Sequence, residues 1–204
     1  PLGLRLIGEN GELVAFDTGP GNALIDDWMM KKHGTNMDFD GNMAAVGKVN
    51  EKIVSLMMKS PYFKKKPPKS LDRDEFSLKI SEHLEGESVA DGAATLTAFT
   101  AQAAAAAAKD FLPKPARQWI VCGGGAHNPT LVRMLRQRID APISAAREVN
   151  WNGDFLEAQG FAFLAVRSLF GLPLSFPTTT GVPHSMCGGM LHGVPDLLKE
   201  KKNR

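Results

Sequence analysis

A short apolar strand that runs directly into a glycine-rich loop and then into a helix occurs twice in this chain, and that repeated order restricts the fold more than any other feature. In the first instance Leu13-Val14-Ala15-Phe16 alternates in a two-residue period, passes into Asp17-Thr18-Gly19-Pro20-Gly21-Asn22, and is followed by helical spacing over residues 23–30. In the second, Gln118-Trp119-Ile120-Val121-Cys122 leads to Gly123-Gly124-Gly125-Ala126-His127-Asn128, and Pro129 opens a helix that runs to Arg138. Asn128 suits an N-cap, because its side chain can accept from an early helical N–H, and Pro129 suits the first helical position, where no donor is needed. Strands alternating with helices in this way predict an α/β layered domain and exclude a bundle or a sandwich.

The remaining patterns fit around these two units. Leu4-Arg5-Leu6-Ile7 also alternates, and Gly8-Glu9-Asn10-Gly11 between it and the first unit's strand carries an Asn-Gly turn signal, so a β-hairpin is expected. Helical spacing recurs over residues 43–58, 74–84 and 90–111, and the stretch 43–111 reads as a helical insertion. The last of these helices is rich in alanine, which permits close packing, and it should stop before Pro113 and Pro115. Residues 61–73, rich in Pro and Lys, read as a surface loop, residues 142–146 as a strand, and residues 173–196 as mostly loop. The helix expected over 153–170 offers Phe155, Leu156, Phe161, Phe163, Leu164 and Val166 to the core. Trp28, Trp119 and Trp151 and the Met29-Met30 and Met57-Met58 pairs are expected there too.

Composition excludes several classes. With 204 residues, 43% hydrophobic and 23% charged, the chain is not a disordered one. A chain of this length buries roughly 70% of the surface it would expose unfolded. The net charge of +2 points to no polyanionic partner. The one dense basic cluster, Lys64-Lys65-Lys66-Pro67-Pro68-Lys69, reads as a solvated loop, so no nucleic-acid partner is expected. Cys122 and Cys187 have no CxxC or His-spaced partner, which argues against a metal site or a disulfide scaffold and predicts buried or half-buried reduced thiols. No stretch reaches the ~20 apolar residues that span a bilayer, and no signal peptide opens the chain. A cytoplasmic location follows as the expectation, and a chain that begins in mid-sheet reads as a piece of something longer.

The Asp17–Asn22 loop is the sharpest chemical signal. Glycines let the backbone approach a ligand, and loop N–H groups ahead of a helix favour an anion. A carboxylate there would hold Mg²⁺, orient a hydroxyl or take a proton; the competing reading is that Asp17 only caps the helix or the turn. Gly123-Gly124-Gly125 is neither G-x-G-x-x-G nor a P-loop, so it implies a backbone passing close to a flat or anionic group, or simply a tight turn. His127 either orients a ligand or bonds the backbone. Glu157 faces solvent or a site, Asp154 reads as a capping carboxylate of the same helix, and Asp26 and Asp27 as ordinary first-turn acids. A dinucleotide-binding dehydrogenase is disfavoured, because Asp140 lies at a helix end and not at a strand end about 20 residues beyond the Gly123 loop. A nucleic-acid or partner-binding module working through the Lys64–Lys69 cluster is the non-enzymatic rival.

Taken together, Phe16-Asp17-Thr18-Gly19-Pro20-Gly21-Asn22 with Asp27-Trp28, Pro61-Tyr62-Phe63 leading to Pro67-Pro68-Lys69-Ser70, Cys122-Gly123-Gly124-Gly125-Ala126-His127-Asn128-Pro129, and Asp154 with Glu157-Ala158 resemble the anhydro-N-acetylmuramic acid kinase family. The resemblance implies a ribonuclease H-like domain of the acetate and sugar kinase, heat-shock protein and actin superfamily, with a mixed sheet flanked by helices. In that superfamily two α/β domains close over ATP. It further implies hydrolysis of the 1,6-anhydro ring of anhydro-N-acetylmuramic acid with phosphorylation of O6, giving N-acetylmuramate 6-phosphate for peptidoglycan recycling. ATP and Mg²⁺ would be required.

By the same resemblance Asp17 would be the general base on the attacking water. Glu157, with Gly19 and Asn22, would contact the sugar, and Gly123, Gly124, Gly125 and Asn128 would line the nucleotide. Lys69 and Ser70 match the family's Pro-Pro-Lys-Ser segment without an implied role. Family members are nearly twice as long, and the Gly-Thr-Met-Ser-Gly-Thr-Ser type phosphate loop of their first half does not occur here. The 204 residues therefore resemble the second, C-terminal domain, expected to have little activity alone and, with its cleft walls exposed, to allow a homodimer. Another sugar kinase of the superfamily and a non-enzymatic interaction module are the alternatives.

Overall fold

A computed structural model describes residues 2–8, 11–73, 75–76 and 82–192. Glu9 and Asn10, at the centre of the expected hairpin turn, and most of the 74–84 helical pattern lie outside the described residues. The hairpin itself is formed. Strands β1 (Leu2–Ile7) and β2 (Leu13–Gly19) pair antiparallel, with Leu4 opposite Phe16 and Gly3 opposite Asp17. The chain then enters α1 (Ala23–His33), which Gly34 ends in the left-handed region at φ 74°, its N–H donating to the Met30 carbonyl. Only a glycine adopts that conformation without a Cβ penalty.

The single helix expected over 43–58 is two: α2 (Asn42–Val46) and α3 (Glu51–Met57). Gly47 is extended between them, and a Cβ on it would lie 2.0 Å from the Ala90 carbonyl oxygen. Asn50 restarts the chain as the α3 N-cap, its side chain accepting from Ile53 N–H at 3.3 Å while its own N–H donates to Thr95 Oγ1 at 3.0 Å. The break therefore has a tertiary cause, since it lets both short helices lie on the next long one.

That long helix, α4 (Val89–Phe111), is the hub of the core and packs against α1, α2, α3 and β2. It is the alanine-rich tract of the sequence, and Gly92, Ala93, Ala94, Phe99, Ala101 and Ala103 on it are buried. Trp28 lies directly over Gly92, where a Cβ would come within 2.2 Å of the indole ring, and its Nε1–H donates to the Val89 carbonyl at 2.9 Å. Phe99 sits beneath an aromatic cluster with Phe63, Phe76 and Tyr62, the rings meeting mostly edge to face at 5.7–6.0 Å. The buried threonines of α4 are satisfied, Thr97 by the Ala93 carbonyl and Thr100 by that of Gly21, as buried hydroxyls must be.

Beyond α4 come β3 (Trp119–Val121), α5 (Pro129–Arg138) and β4 (Ile143–Ala145), a strand–helix–strand unit whose strands pair parallel. The expectation of one mixed sheet is corrected here. Antiparallel and parallel pairings both occur, but among the described residues they form two separate two-stranded sheets. Trp119 is where they meet, packing against the Leu4–Phe16–Ala107 cluster of the hairpin as well as the main core.

Helix α6 (Leu156–Leu169) forms where periodicity placed it, yet none of its residues is buried. Phe155, Phe161, Phe163, Leu164 and Val166, expected in the core, are exposed, and so are Trp151 and Met30. Both cysteines are exposed as well, contrary to the burial expected of them. Burial needs an opposing surface, and no other element of the described residues closes over this helix. A short α7 (Pro177–Thr180) follows and returns the chain to β2.

Candidate functional site

Asp17 stands near the end of β2, and one loop holds its backbone and one of its carboxylate oxygens. Its N–H donates to the Lys69 carbonyl at 3.0 Å, its own carbonyl accepts from the Tyr62 hydroxyl at 2.6 Å, and its Oδ2 accepts from Leu71 N–H at 3.0 Å. Among the described residues Oδ1 makes no hydrogen bond. The competing reading of Asp17 as a helix or turn cap finds no support in this arrangement, because the N–H that its carboxylate accepts belongs to a residue 54 positions away.

The clamp is the segment read as a solvated lysine loop. Lys64, Lys65 and Lys66 are exposed, but Lys69 is not. Its ammonium lies 4.6 Å from the Tyr62 ring and 4.5 Å from that of Phe111, with Phe16 at 5.8 Å, and donates to the Tyr62 carbonyl at 3.2 Å. Ring faces attract a desolvated cation. Burial holds the Lys69 ammonium pKa below its usual range; Asp110 opposes that shift and Lys65 adds to it. Burial also pushes the Tyr62 phenol well above its usual range, reinforced by the charges of Asp17 and Glu75, so the phenol is a proton donor to its hydrogen bond across all ordinary pH.

The glycines after Asp17 serve packing and direction. Gly19 is buried beneath α4, where a Cβ would meet that of Ala103 at 2.8 Å, and Gly21 turns at φ 65° with its carbonyl held by Thr100. Asn22 precedes α1 without a side-chain cap, and its Oδ1 is buried with no hydrogen-bond partner among the described residues. Asp26, one turn on, has a raised pKa, first from burial and then from Asp27 beside it, while Arg73 opposes the shift. Arg73 pairs with Asp27 at 2.7 Å.

The second loop is more open. Gly123 takes φ 70°, and a Cβ on Gly123 or Gly124 would meet nothing within 4 Å, so a ligand has free approach there. Asn128 is the N-cap expected of it, its Oδ1 accepting from Leu131 N–H at 2.9 Å. His127 Nε2 lies 2.6 Å from Asp154 Oδ1, and Gly123 N–H donates to the Gly153 carbonyl at 3.3 Å. These two bonds tie the glycine loop to the start of α6. Glu157, in the first turn of that helix, is exposed. Among the described residues no hydrogen bond passes between the Asp17 loop and the Gly123 loop. The α4 helix touches both units, through β2 and through α5.

The profile of the anhydro-N-acetylmuramic acid kinase family matches residues 4–193. This chain belongs to that family. Among curated anhydro-N-acetylmuramic acid kinases it is 52% identical over 186 residues to one from Paramagnetospirillum magneticum, covering 91% of this chain and 52% of the relative. It is 51% identical over 187 residues to one from Methylobacterium nodulans, covering 92% and 49%, and 51% identical over 176 residues to one from Rhodospirillum rubrum, covering 86% and 46%. The chain thus spans about half the length of the curated relatives it matches.

For a chain of the anhydro-N-acetylmuramic acid kinase family, Tyr62 and Leu71 are the site contacts that residue-by-residue reading overlooked. Tyr62 lies in the Pro61-Tyr62-Phe63 segment, and Leu71 directly follows Pro67-Pro68-Lys69-Ser70. Neither carries a chemical signal until the fold brings both onto Asp17. Among the described residues no group of three His, Cys, Asp or Glu side chains is placed to hold a metal ion, and no helix is long and apolar enough to cross a membrane.

Proposed function

We propose that this chain is one half of an ATP-dependent anhydro-N-acetylmuramic acid kinase, the half that carries the base. The observation that carries the reading is the state of Asp17: a carboxylate with its backbone and Oδ2 tethered and with Oδ1 making no hydrogen bond among the described residues. General-base catalysis needs a carboxylate held within about 3 Å of a water, and orientation contributes more than an unusual pKa when the attacked carbon is activated by its leaving group.

In the proposed reaction Asp17 takes a proton from water as the water oxygen bonds to the anomeric carbon and the bond from that carbon to O6 breaks. The freed O6 attacks the γ-phosphorus of ATP, ADP leaves, and Asp17 returns its proton to solvent. Phosphoryl transfer asks the protein mainly for alignment and charge neutralisation. Glu157, Gly19 and Asn22 are assigned to the sugar, and Gly123, Gly124, Gly125 and Asn128 to the nucleotide, where the open approach over Gly123 and Gly124 supports the assignment. Mg²⁺ would enter on the phosphates of MgATP, which suits its preference for phosphate oxygens and water.

The family's glycine- and threonine-rich phosphate loop does not occur in these 204 residues. We therefore assign the chain to the C-terminal, ribonuclease H-like domain of a cytoplasmic kinase. The apolar side chains that α6 exposes are assigned to contact with the remaining half, with a homodimer as the competing occupant. In the full-length kinase, Asp17→Asn is expected to abolish sugar-dependent ATP turnover while ATP binding persists. The 204 residues alone are expected to show negligible turnover with the anhydro sugar, regained on adding the separately expressed other half. Robust turnover by the lone chain would overturn the half-site reading.

A further inference from the structure

Three residues form a closed hydrogen-bonded circuit around the base. Asp17 N–H donates to the Lys69 carbonyl, the Lys69 ammonium donates to the Tyr62 carbonyl, and the Tyr62 hydroxyl donates to the Asp17 carbonyl, at 3.0, 3.2 and 2.6 Å. Tyr62 is buried, and its ring is fixed by Phe63 and Phe76 at 5.7 and 6.0 Å, both edge to face. Lys69 is fixed in turn by the rings of Tyr62 and Phe111. Two residues further along the same loop, Leu71, itself buried, points its N–H at Asp17 Oδ2. The loop thus constrains the backbone of Asp17 at both its donor and its acceptor, and then constrains one of its two carboxylate oxygens.

We propose that Tyr62 and Lys69 are positioning residues that aim the Asp17 carboxylate, with Oδ1 the oxygen that accepts the proton. This rests on the reading of Asp17 as the base. The physical argument is geometric. A carboxylate on a short side chain keeps two rotatable bonds, and rotation of either would swing Oδ1 away from a bound water. Tethering Oδ2 to Leu71 removes that freedom, but the tether works only while the loop keeps its register against β2. Tyr62 and Lys69 hold that register, because each reaches Asp17 or the other through a group that a plain packing residue lacks: a hydroxyl and an ammonium. Loss of about 1 Å of alignment at a reacting centre costs on the order of a hundredfold in rate. The Lys69 ammonium and the exposed Lys64, Lys65 and Lys66 therefore have different jobs, although all belong to one basic run.

The test uses the full-length kinase that contains this chain. Tyr62→Phe removes the hydroxyl and keeps the ring contacts; Lys69→Met removes the ammonium and keeps the stem over the rings. Both variants are expected to lower kcat for sugar-dependent ATP turnover about tenfold or more, with the sugar KM and the ATP Kd from calorimetry within about twofold of the parent. A kcat within about twofold of the parent in both variants overturns the proposal. So does a parallel loss of kcat, ATP binding and thermal midpoint, which would make the loop a strut and nothing more. Asp17→Asn in the same assay separates the two readings. An active Asp17→Asn enzyme removes the base assignment itself, whereas an inactive one beside two normal loop variants removes only the positioning role.

Discussion

Helices α4 and α6 are both predominantly apolar, each with alanine and two phenylalanines, and both form where the apolar spacing places them. Their surroundings differ completely. Along α4, Ala93, Ala94, Ala98, Phe99, Ala101 and Ala103 are 0% exposed, whereas on α6 Phe161 is 71% and Phe163 61% exposed. An apolar stripe states that a helix face prefers to be covered; it does not state by what. Around α4 the cover comes from α1, α2, α3, β2 and the aromatic loop residues of this chain. Around α6 no described element provides it, in a chain that spans about half the length of the relatives it matches.

That contrast can be broken or sharpened by substitution. The largest effect is expected at Phe99, whose truncation to Ala leaves a cavity in the middle of the aromatic cluster; urea unfolding should show a loss of about 3–5 kcal/mol. Next is Gly92→Ala. Its Cβ would meet the Trp28 indole at 2.2 Å, so the ring must move from its hydrogen bond to Val89, at a cost of about 1–3 kcal/mol with quenched or shifted tryptophan emission.

A smaller loss, about 1–2 kcal/mol, is expected for Asp38→Ala. The buried Asp38 carboxylate accepts from Met43 N–H at 2.8 Å and Ala44 N–H at 2.9 Å at the start of α2, and its removal leaves both donors without that partner.

Asp26 tests a smaller effect of opposite sign. Burial raises its folded pKa above the ordinary 3.8. The stability this contributes is full below pH 3.8 and is lost as pH climbs through the folded value. Asp26→Asn, which mimics the protonated form, should therefore raise the thermal midpoint by about 1–2 °C at neutral pH and leave it unchanged in strong acid. The smallest effect is expected at Phe161→Ser on α6, within about 0.5 kcal/mol of the parent in urea unfolding. A loss of several kcal/mol there would mean that α6 is covered after all, and the contrast with α4 would fall.

The hairpin, both strand–loop–helix units and the long alanine-rich helix are legible residue by residue. Features that depend on distant neighbours are not. The 43–58 pattern carries helical spacing throughout, but Gly47 must pass the Ala90 carbonyl so closely that the helix opens there. The strands were readable one at a time, while their grouping into two separate pairs was not, because pairing is a property of edges that approach only after folding. Lys69 read as one more solvated lysine. Its immediate neighbours in sequence are Pro68 and Ser70, and the rings that enclose it come from Phe16, Tyr62 and Phe111.

What the sequence by itself determined about this protein is local and chemical: a two-residue or 3.6-residue period biases the backbone wherever it occurs, glycine permits a turn at any place in a chain, and an acid beside such a turn announces chemistry. What only the tertiary structure decided is the state of that acid. Asp17 is held by groups 45 and 54 residues away, and no local preference encodes a hydrogen bond across such a span. It forms because closing the long loop is offset by the aromatic core that Tyr62, Phe63 and Phe76 bury with Phe99, and the clamp on the carboxylate is assembled in the same step.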